Sequence, residues 1–125
     1  MNTTVDTVTI NDVEYVRKDS IKINEMAETL DGMPYVICRT YSAGVFAGHL
    51  EKREGREVIM RNARRLWRWA GAASLSQLAM EGTKDPSNCK FPCAVDSVEL
   101  LEAIEIIPCT AKAKKSIEGV AIWEM

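Results

Sequence analysis

The side chains best suited to chemistry lie between residues 58 and 82. This stretch has no acidic residue from Val58 to Gln77, and it is rich in arginine and tryptophan: Arg61, Arg64, Arg65, Trp67, Arg68 and Trp69. Guanidinium groups pair with phosphates, and indole rings stack on planar groups and cations. The combination indicates a site for a planar, anionic ligand. The same side chains are also typical of a core cover or of a dimer interface, and the spacing alone does not separate these interpretations.

A strand, a small-residue turn and a short helix are expected to position these side chains. Residues 57–69 begin with β-branched residues and predict a long strand with a bulge near Asn62 and Ala63. On such a strand, Trp67 and Trp69 would share one face. Residues 70–73 form the turn, and Ser74 is expected to cap a helix that ends at Gly82. The unpaired backbone N–H groups at the start of that helix would add to an anion site.

A second group of candidate residues lies on a predicted hairpin. Residues 35–41 and 45–51 read as two strands joined by the small-residue turn 42–44, which could bring backbone amides to a phosphate. The glycine spacing is that of no nucleotide-binding motif, and it favours a tight hairpin with a glycine where two strands approach closely. The predicted ligand-binding set therefore combines both stretches: Arg39, Tyr41, Ser42, Gly44, Arg65, Trp67, Trp69 and Ser74. In this set the arginines pair with phosphates, the aromatic rings stack on a base, and the serines and Gly44 donate hydrogen bonds.

Catalytic and metal chemistry find little support in the sequence. His49 is the single histidine, and no serine or carboxylate stands at a triad spacing from it. Four cysteines could supply ligands for zinc together with His49, but the spacing of Cys89 and Cys93 is not that of common zinc motifs. We therefore expect no catalytic residue, no metal and no cofactor, with an enzyme that uses His49 as acid or base as the weaker alternative.

Composition indicates one small globular α+β domain. Of 125 residues, 46% are hydrophobic and 27% are charged, and the net charge of −2 makes nucleic acid an unlikely partner. The charge is uneven, because residues 52–68 are basic and residues 94–109 are acidic, so these segments could pair across a sheet. Neither a signal peptide nor a membrane span is recognisable, so we expect a cytoplasmic protein with reduced cysteines.

The order of elements divides the chain in two. Residues 1–34 contain a predicted hairpin at 7–17 and have the character of an N-terminal arm, whereas residues 35–125 form the single α+β domain. In that domain we expect a meander of three antiparallel strands, 35–41, 45–51 and 57–69, followed by the helix from Ser74. A strand over 98–107, a helix capped by Thr110 that runs through Ser116, and a last strand over 120–124 complete it.

Four stretches carry a resemblance to known proteins: ICRTYSAGVFAG (37–48), NARRLWRWAGAASLSQLAMEG (62–82), CKFP (89–92) and IEIIPCTAKAKKSI (104–117). In these stretches the chain resembles a family of small tailed-bacteriophage proteins catalogued as a domain of unknown function. The resemblance brings no established activity.

By type, small phage proteins of this kind are similar to anti-defence sponges, which are oligomers that sequester the nucleotide signals of bacterial immunity. The analogy is one of type and not of sequence. It implies a non-enzymatic homo-oligomer in the host cytoplasm that binds a cyclic nucleotide or an ADP-ribose derivative and so inhibits a CBASS or Thoeris defence. The alternatives are a phage accessory protein that acts through a protein interface and an enzyme that degrades such a nucleotide.

Overall fold

The computed structural model describes residues 25–125, and the hairpin predicted at 7–17 lies outside this range. The predicted α+β class with an antiparallel sheet is confirmed. The elements in chain order are β1 (Tyr35–Thr40), β2 (Val45–Glu54), β3 (Glu57–Arg65), α1 (Leu75–Glu81), a single 3-10 turn (Pro86–Asn88), β4 (Ala94–Leu100), β5 (Ala103–Pro108) and α2 (Ala111–Glu118).

The sheet is strongly curled. Its strand order is β4-β3-β2-β1-β5, so β4 and β5 form opposite edges. Only Leu101 and Glu102 connect these two edges, and so short a connection requires the edges to approach each other. The backbone N–H of Ala103, at the start of β5, donates to the carbonyl of Arg56 next to β3 at 2.9 Å. The curl therefore brings the β2–β3 hairpin against β5.

Both faces of the sheet are buried. The outer face packs under the two helices, and the inner face fills the curl with a second apolar cluster that includes Val36, Cys38 and Phe46. This arrangement explains why β1 buries four consecutive side chains, Tyr35 to Cys38, where a sheet with one wet face would alternate. The outer cluster comprises Tyr35, Ile37, Ala47, Leu66, Leu78, Ala79, Cys89, Phe91, Cys109, Ala113, Ile117 and Val120.

A bulge in β3 lies where the backbones of β2 and β3 come into close contact. His49 pairs with Arg61 and Ala47 with Arg64, so residues 62 and 63 together face Gly48. A Cβ at Gly48 would lie 2.7 Å from the Cα of Ala63, which is closer than side chains pack, and only glycine fits there. The bulge predicted near residues 62–63 is therefore confirmed.

Both helices begin where the sequence predicts. The Ser74 hydroxyl accepts from the N–H of Gln77 at 3.2 Å, and α1 stops at Gly82, whose φ is +79°. The Thr110 hydroxyl accepts from the N–H of Ala113 at 3.1 Å and donates to the carbonyl of Met80 at 2.8 Å. Thr110 thus caps α2 and ties it to α1.

Three predicted strands differ from the structure. β3 ends at Arg65 and not at residue 69, because the chain turns away after Leu66 and residue 68 pairs with Lys90 instead. The predicted strand over 98–107 is two strands, interrupted at residues 101–102, where the chain crosses from one sheet edge to the other. The predicted strand over 120–124 is reduced to one bridge between Phe91 and Ile122. Within residues 25–125, no helix has the length and apolar character needed to cross a membrane.

Candidate functional site

The four predicted site residues of the β1–β2 hairpin are held by the hairpin itself and by β5. Nε of Arg39 donates to Glu105 at 2.9 Å, and the hydroxyl of Ser42 donates to Glu102 at 2.6 Å. Gly44 has a φ of +95° and supplies the carbonyl that closes the turn. Arg39 and Ser42 are therefore already engaged with carboxylates. Tyr41 is 78% exposed and its ring is open to solvent.

The two predicted phosphate-binding arginines point to opposite faces of the sheet. The guanidinium carbon of Arg65 lies 4.6 Å from the ring centre of Phe46, a residue of the inner cluster. Arg39 follows Cys38, also of the inner cluster, so its side chain alternates to the outer face. Arg39 and Arg65 therefore do not converge on one phosphate.

The predicted pair of tryptophans is also divided. Trp69 is partly buried against the outer core, whereas Trp67 is 57% exposed. Trp67 stacks on Trp123, with ring centres 5.0 Å apart and planes 20° from parallel. The ammonium of Lys90 lies 5.6 Å and 5.4 Å from the two ring centres. We call Trp67, Lys90 and Trp123 the tryptophan surface. Sequence reasoning missed Trp123, which lies far from Trp67 along the chain, and no local pattern links the two.

Ser74, the last residue of the predicted ligand-binding set, forms hydrogen bonds within the fold. Its hydroxyl caps α1, and the next turn is covered by Gln77, whose side-chain oxygen accepts from the N–H of Ala73 at 2.7 Å. These contacts engage two backbone N–H groups near the helix start, those of Ala73 and Gln77. Ser74 therefore has a structural role that does not depend on a ligand.

A cleft of about 690 Å³ lies between the β1–β2 turn, the β2–β3 hairpin and β5. We call it the arginine cleft, and its lining comprises Tyr41, Arg53, Gly55, Arg56, Ala103, Ile104, Glu105 and Ile106. Tyr41 is the residue of the predicted ligand-binding set that lines it. The curl of the sheet creates this cleft, because the hydrogen bond from Ala103 to Arg56 draws the hairpin over β5.

The β2–β3 hairpin sorts its charges between two sides. Arg53 and Arg56 line the arginine cleft, whereas the other charged hairpin residues, Lys52, Glu54 and Glu57, line a separate small cleft with Ile59 and Glu99. Nη1 of Arg53 donates to the carbonyl of Gly55 at 2.8 Å, which fixes this guanidinium at the hairpin end. The alternation of charges around Gly55 is the sequence signal for this sorting, and Arg53 and Arg56 are not part of the predicted ligand-binding set.

The arginine cleft carries net positive charge. Within residues 25–125, neither Arg53 nor Arg56 forms an ion pair with a carboxylate, and the charge of Glu105 is offset by Arg39. Beside these two guanidiniums lie the exposed ring of Tyr41 and the side chain of Ile104, which is 45% exposed. Two cations next to an aromatic ring and an apolar wall suit a planar molecule that bears phosphate.

Arg64 is the buried arginine of β3. Its Nε, Nη1 and Nη2 donate to the carbonyls of Pro92, Ile117 and Phe91, each at 2.9 Å. Burial lowers the pKa of the Arg64 guanidinium, and the carbonyl near the end of α2 supplies part of the negative potential that offsets its charge. Arg64 ties the sheet to α2 and to the segment before β4.

His49, Cys38 and Cys109 are buried in the domain. His49 is 2% exposed, its Nδ1 lies 3.0 Å from the carbonyl of Met33, and its ring meets that of Tyr35 edge-on. Burial raises the pKa of the Cys38 thiol to about 11 and that of the Cys109 thiol to about 12. Nowhere in residues 25–125 do three His, Cys, Asp or Glu side chains gather as a metal site would require.

Comparison with known families gives one result. A model described as a domain of unknown function, DUF6948, matches residues 33–117, which is more than half of the chain. The chain belongs to the DUF6948 family. The match runs from just before β1 to Ile117 in the last turn of α2, so the DUF6948 domain contains the whole sheet, α1, nearly all of α2 and the arginine cleft. The chain matches no curated protein and no solved structure.

Proposed function

We propose that this protein is a non-enzymatic binding protein for a phosphorylated, nucleotide-like small molecule, and that the molecule binds in the arginine cleft. The observation that carries the proposal is the convergence of Arg53 and Arg56, without a carboxylate partner in the described chain, beside the exposed ring of Tyr41. The guanidiniums pair with phosphate, and the phenol ring stacks on the base. The cleft volume of about 690 Å³ lies in the range of small-molecule sites.

The biological role that we propose is counter-defence. A phage protein in the host cytoplasm would bind a cyclic nucleotide or an ADP-ribose derivative and withhold it from the immune effector. This part of the proposal is supported by the similarity of type to phage sponges and by the chemistry of the cleft. The buried position of His49 is a further support, because the acid or base of the enzymatic alternative is not accessible to a substrate.

Sequestration needs tight binding, and the open cleft alone offers limited burial. Tyr41 is 78% exposed, so a ligand stacked on its ring would keep one face in water. High-affinity sites bury most of the surface of their ligands. The proposal therefore includes a homo-oligomer in which a second subunit covers the arginine cleft.

The experiment that tests the proposal measures ligand-dependent thermal unfolding. Purified protein is incubated with cyclic dinucleotides, cyclic ADP-ribose isomers and ADP-ribose conjugates, and any stabilised complex is heat-denatured so that mass spectrometry can identify the released molecule. A ligand at 100 times its Kd adds about 2.7 kcal/mol to the free energy of unfolding, which gives a clear shift. We expect one class of ligand to stabilise the protein and to be released intact.

Variants locate the site. The double substitution of Arg53 and Arg56 by Ala should abolish the ligand-dependent shift, and Tyr41→Ala should weaken it. Lys52→Ala is the matched control, since it removes a cation from the same hairpin on the side away from the cleft. Loss of binding in Trp67→Ala with retention in the double variant would move the site to the tryptophan surface. No shift with any nucleotide would reject the proposed function, and release of a cleaved molecule would make the protein an enzyme.

A second candidate function is protein–protein interaction through the tryptophan surface. Two stacked indoles, with Trp67 57% and Trp123 37% exposed, form the kind of aromatic patch that is enriched in interface hot spots. If this surface is the oligomer interface, Trp67→Ala should lower the mass measured by light scattering, whereas Arg53→Ala should not. An unchanged mass together with unchanged binding would leave this surface without a role in assembly.

A further inference from the structure

A second, smaller cavity lies on the outer face of the sheet. It has a volume of about 290 Å³ between the bulge of β3, the start of β4 and the segment that follows α2. Its lining comprises Tyr35, Asn62, Arg64, Ala94, Glu118, Val120 and Ile122, and we call it the Arg64 cavity. The proposed function does not use this cavity.

The buried polar groups of the Arg64 cavity have donors without partners. Tyr35 is 3% exposed, and within residues 25–125 its hydroxyl forms no hydrogen bond. Arg64 is 6% exposed, and its three hydrogen bonds use three of the five N–H groups of a guanidinium. A buried hydroxyl or N–H without an acceptor is costly, so each such group in a native fold calls for an acceptor.

The phenol and the guanidinium line the same cavity. The charges of Glu118 and Arg64, which both line the cavity, affect the phenol, and burial together with Glu118 raises the pKa of Tyr35. The carboxylate of Glu118 is half exposed and lies 4.0 Å from the ammonium of Lys114, which also lies 5.7 Å from the Tyr35 ring centre. The charges of Lys114 and Arg64 therefore offset that of Glu118.

Apolar side chains complete the lining beside Arg64. Val120 is buried, Ile122 is 54% exposed, and Ala94 adds a methyl group at the start of β4. We propose that the Arg64 cavity binds a carboxylate carried on a short, branched apolar group, with the carboxylate on Arg64 and Tyr35 and the apolar group against Val120 and Ile122. Buried donors beside methyl groups in one small cavity match this class of ligand.

The test compares an acid with its amide. The probes are 3-methylbutanoate and 3-methylbutanamide, which have the same shape and differ in charge, and N-acetyl-leucine with N-acetyl-leucinamide, which report whether the carboxylate can be the end of a peptide. Binding is followed by chemical-shift titration of the arginine Nε–H signals in nitrogen-15 NMR. We expect the Arg64 signal to move with the acid, and the amide to bind at least about tenfold more weakly.

Tyr35→Phe separates a ligand-binding hydroxyl from a structural one. Because the hydroxyl has no described partner, this variant should keep the unfolding temperature of the wild type while it binds the acid about tenfold more weakly. Tyr41→Phe is the matched control, since it removes the hydroxyl of an exposed tyrosine on the arginine cleft. Equal binding of acid and amide, unchanged binding by Tyr35→Phe, or a large loss of stability in that variant would each overturn the proposal. None of these outcomes bears on the nucleotide experiment, which uses the other cleft.

Discussion

Substitution of Arg64 by Met should destabilise the domain far more than the same change at Arg65, its neighbour in sequence. Arg64 is 6% exposed and holds three backbone carbonyls, whereas Arg65 is exposed and covers the ring of Phe46. Met fills much of the volume of either side chain but donates no hydrogen bond. At position 64 the change therefore removes three hydrogen bonds, and the carbonyls of Phe91 and Ile117 keep only their backbone donors, Trp123 and Val120.

The size of the effect follows from these contacts. A hydrogen bond to a charged group is worth about 1.5–3 kcal/mol, so loss of the three bonds of Arg64 should cost at least about 3 kcal/mol of a total stability of about 5–15 kcal/mol. At position 65 only an exposed cation–π contact is lost, which is worth about 0.5–1 kcal/mol. For about 100 residues each kcal/mol shifts the unfolding temperature by about 4–8 °C, so Arg64→Met should lower it by at least about 12 °C.

Urea unfolding followed by circular dichroism measures the free energy of unfolding of both variants under the same conditions. The midpoint for Arg64→Met should fall well below that of Arg65→Met, at an unchanged slope. Arg64→Lys is a useful third variant, because it keeps the charge but a single ammonium cannot span three carbonyls in the fork geometry of arginine. Comparable midpoints for the two Met variants, or a loss of less than about 1 kcal/mol at position 64, would refute this account of the buried guanidinium.

Three further predictions concern stability. Gly48→Ala should cost about 1–3 kcal/mol in urea unfolding, because the new Cβ would meet the backbone of Ala63 at 2.7 Å. Ser74→Ala should cost about 1 kcal/mol through the lost cap and leave ligand-dependent shifts unchanged. The unfolding temperature should fall as the pH rises from about 9 toward 11, because the buried thiols of Cys38 and Cys109 stay protonated in the fold while the unfolded chain ionises them from their usual pKa of 9.0.

Each of these has an outcome that contradicts it. Wild-type stability in Gly48→Ala would show that β2 and β3 can separate at the bulge without cost. A lost ligand shift in Ser74→Ala, with the fold intact, would return Ser74 to the binding site. For the alkaline effect, Cys38→Ala should make the dependence of unfolding temperature on pH shallower, and an equal slope in that variant would exclude the thiol as a cause.

Local features could be predicted from the sequence because they depend on neighbouring residues. The caps at Ser74 and Thr110 and the glycine stop at Gly82 each need only a side chain or a backbone conformation within one helical turn. The bulge at residues 62–63 likewise followed from the length of the segment. These features fix where elements begin and end, and they carry little information on which side chains meet in space.

The candidate site could not be predicted because it depends on the curl of the sheet. Arg64 and Arg65 are adjacent and chemically identical, and only the packing of α2 decides that the first is buried and the second exposed. Trp67 and Trp69 would share a face on a continuous strand. The strand stops at Arg65 instead, and a bridge to Lys90 redirects the chain. Such decisions rest on residues distant in sequence.

Some polar residues form contacts within the fold, whereas others are exposed or have no carboxylate partner, and this difference supports the location of the proposed nucleotide site. Arg64, His49 and Ser74 make contacts that the fold needs, so any change there acts first on stability. Arg53 and Arg56 have no carboxylate partner within residues 25–125, and Tyr41 is exposed, so their substitution should leave the fold intact. Arginines without a carboxylate partner in the described chain and an exposed aromatic ring are available for a ligand. A binding defect in those variants would therefore report on function and not on folding.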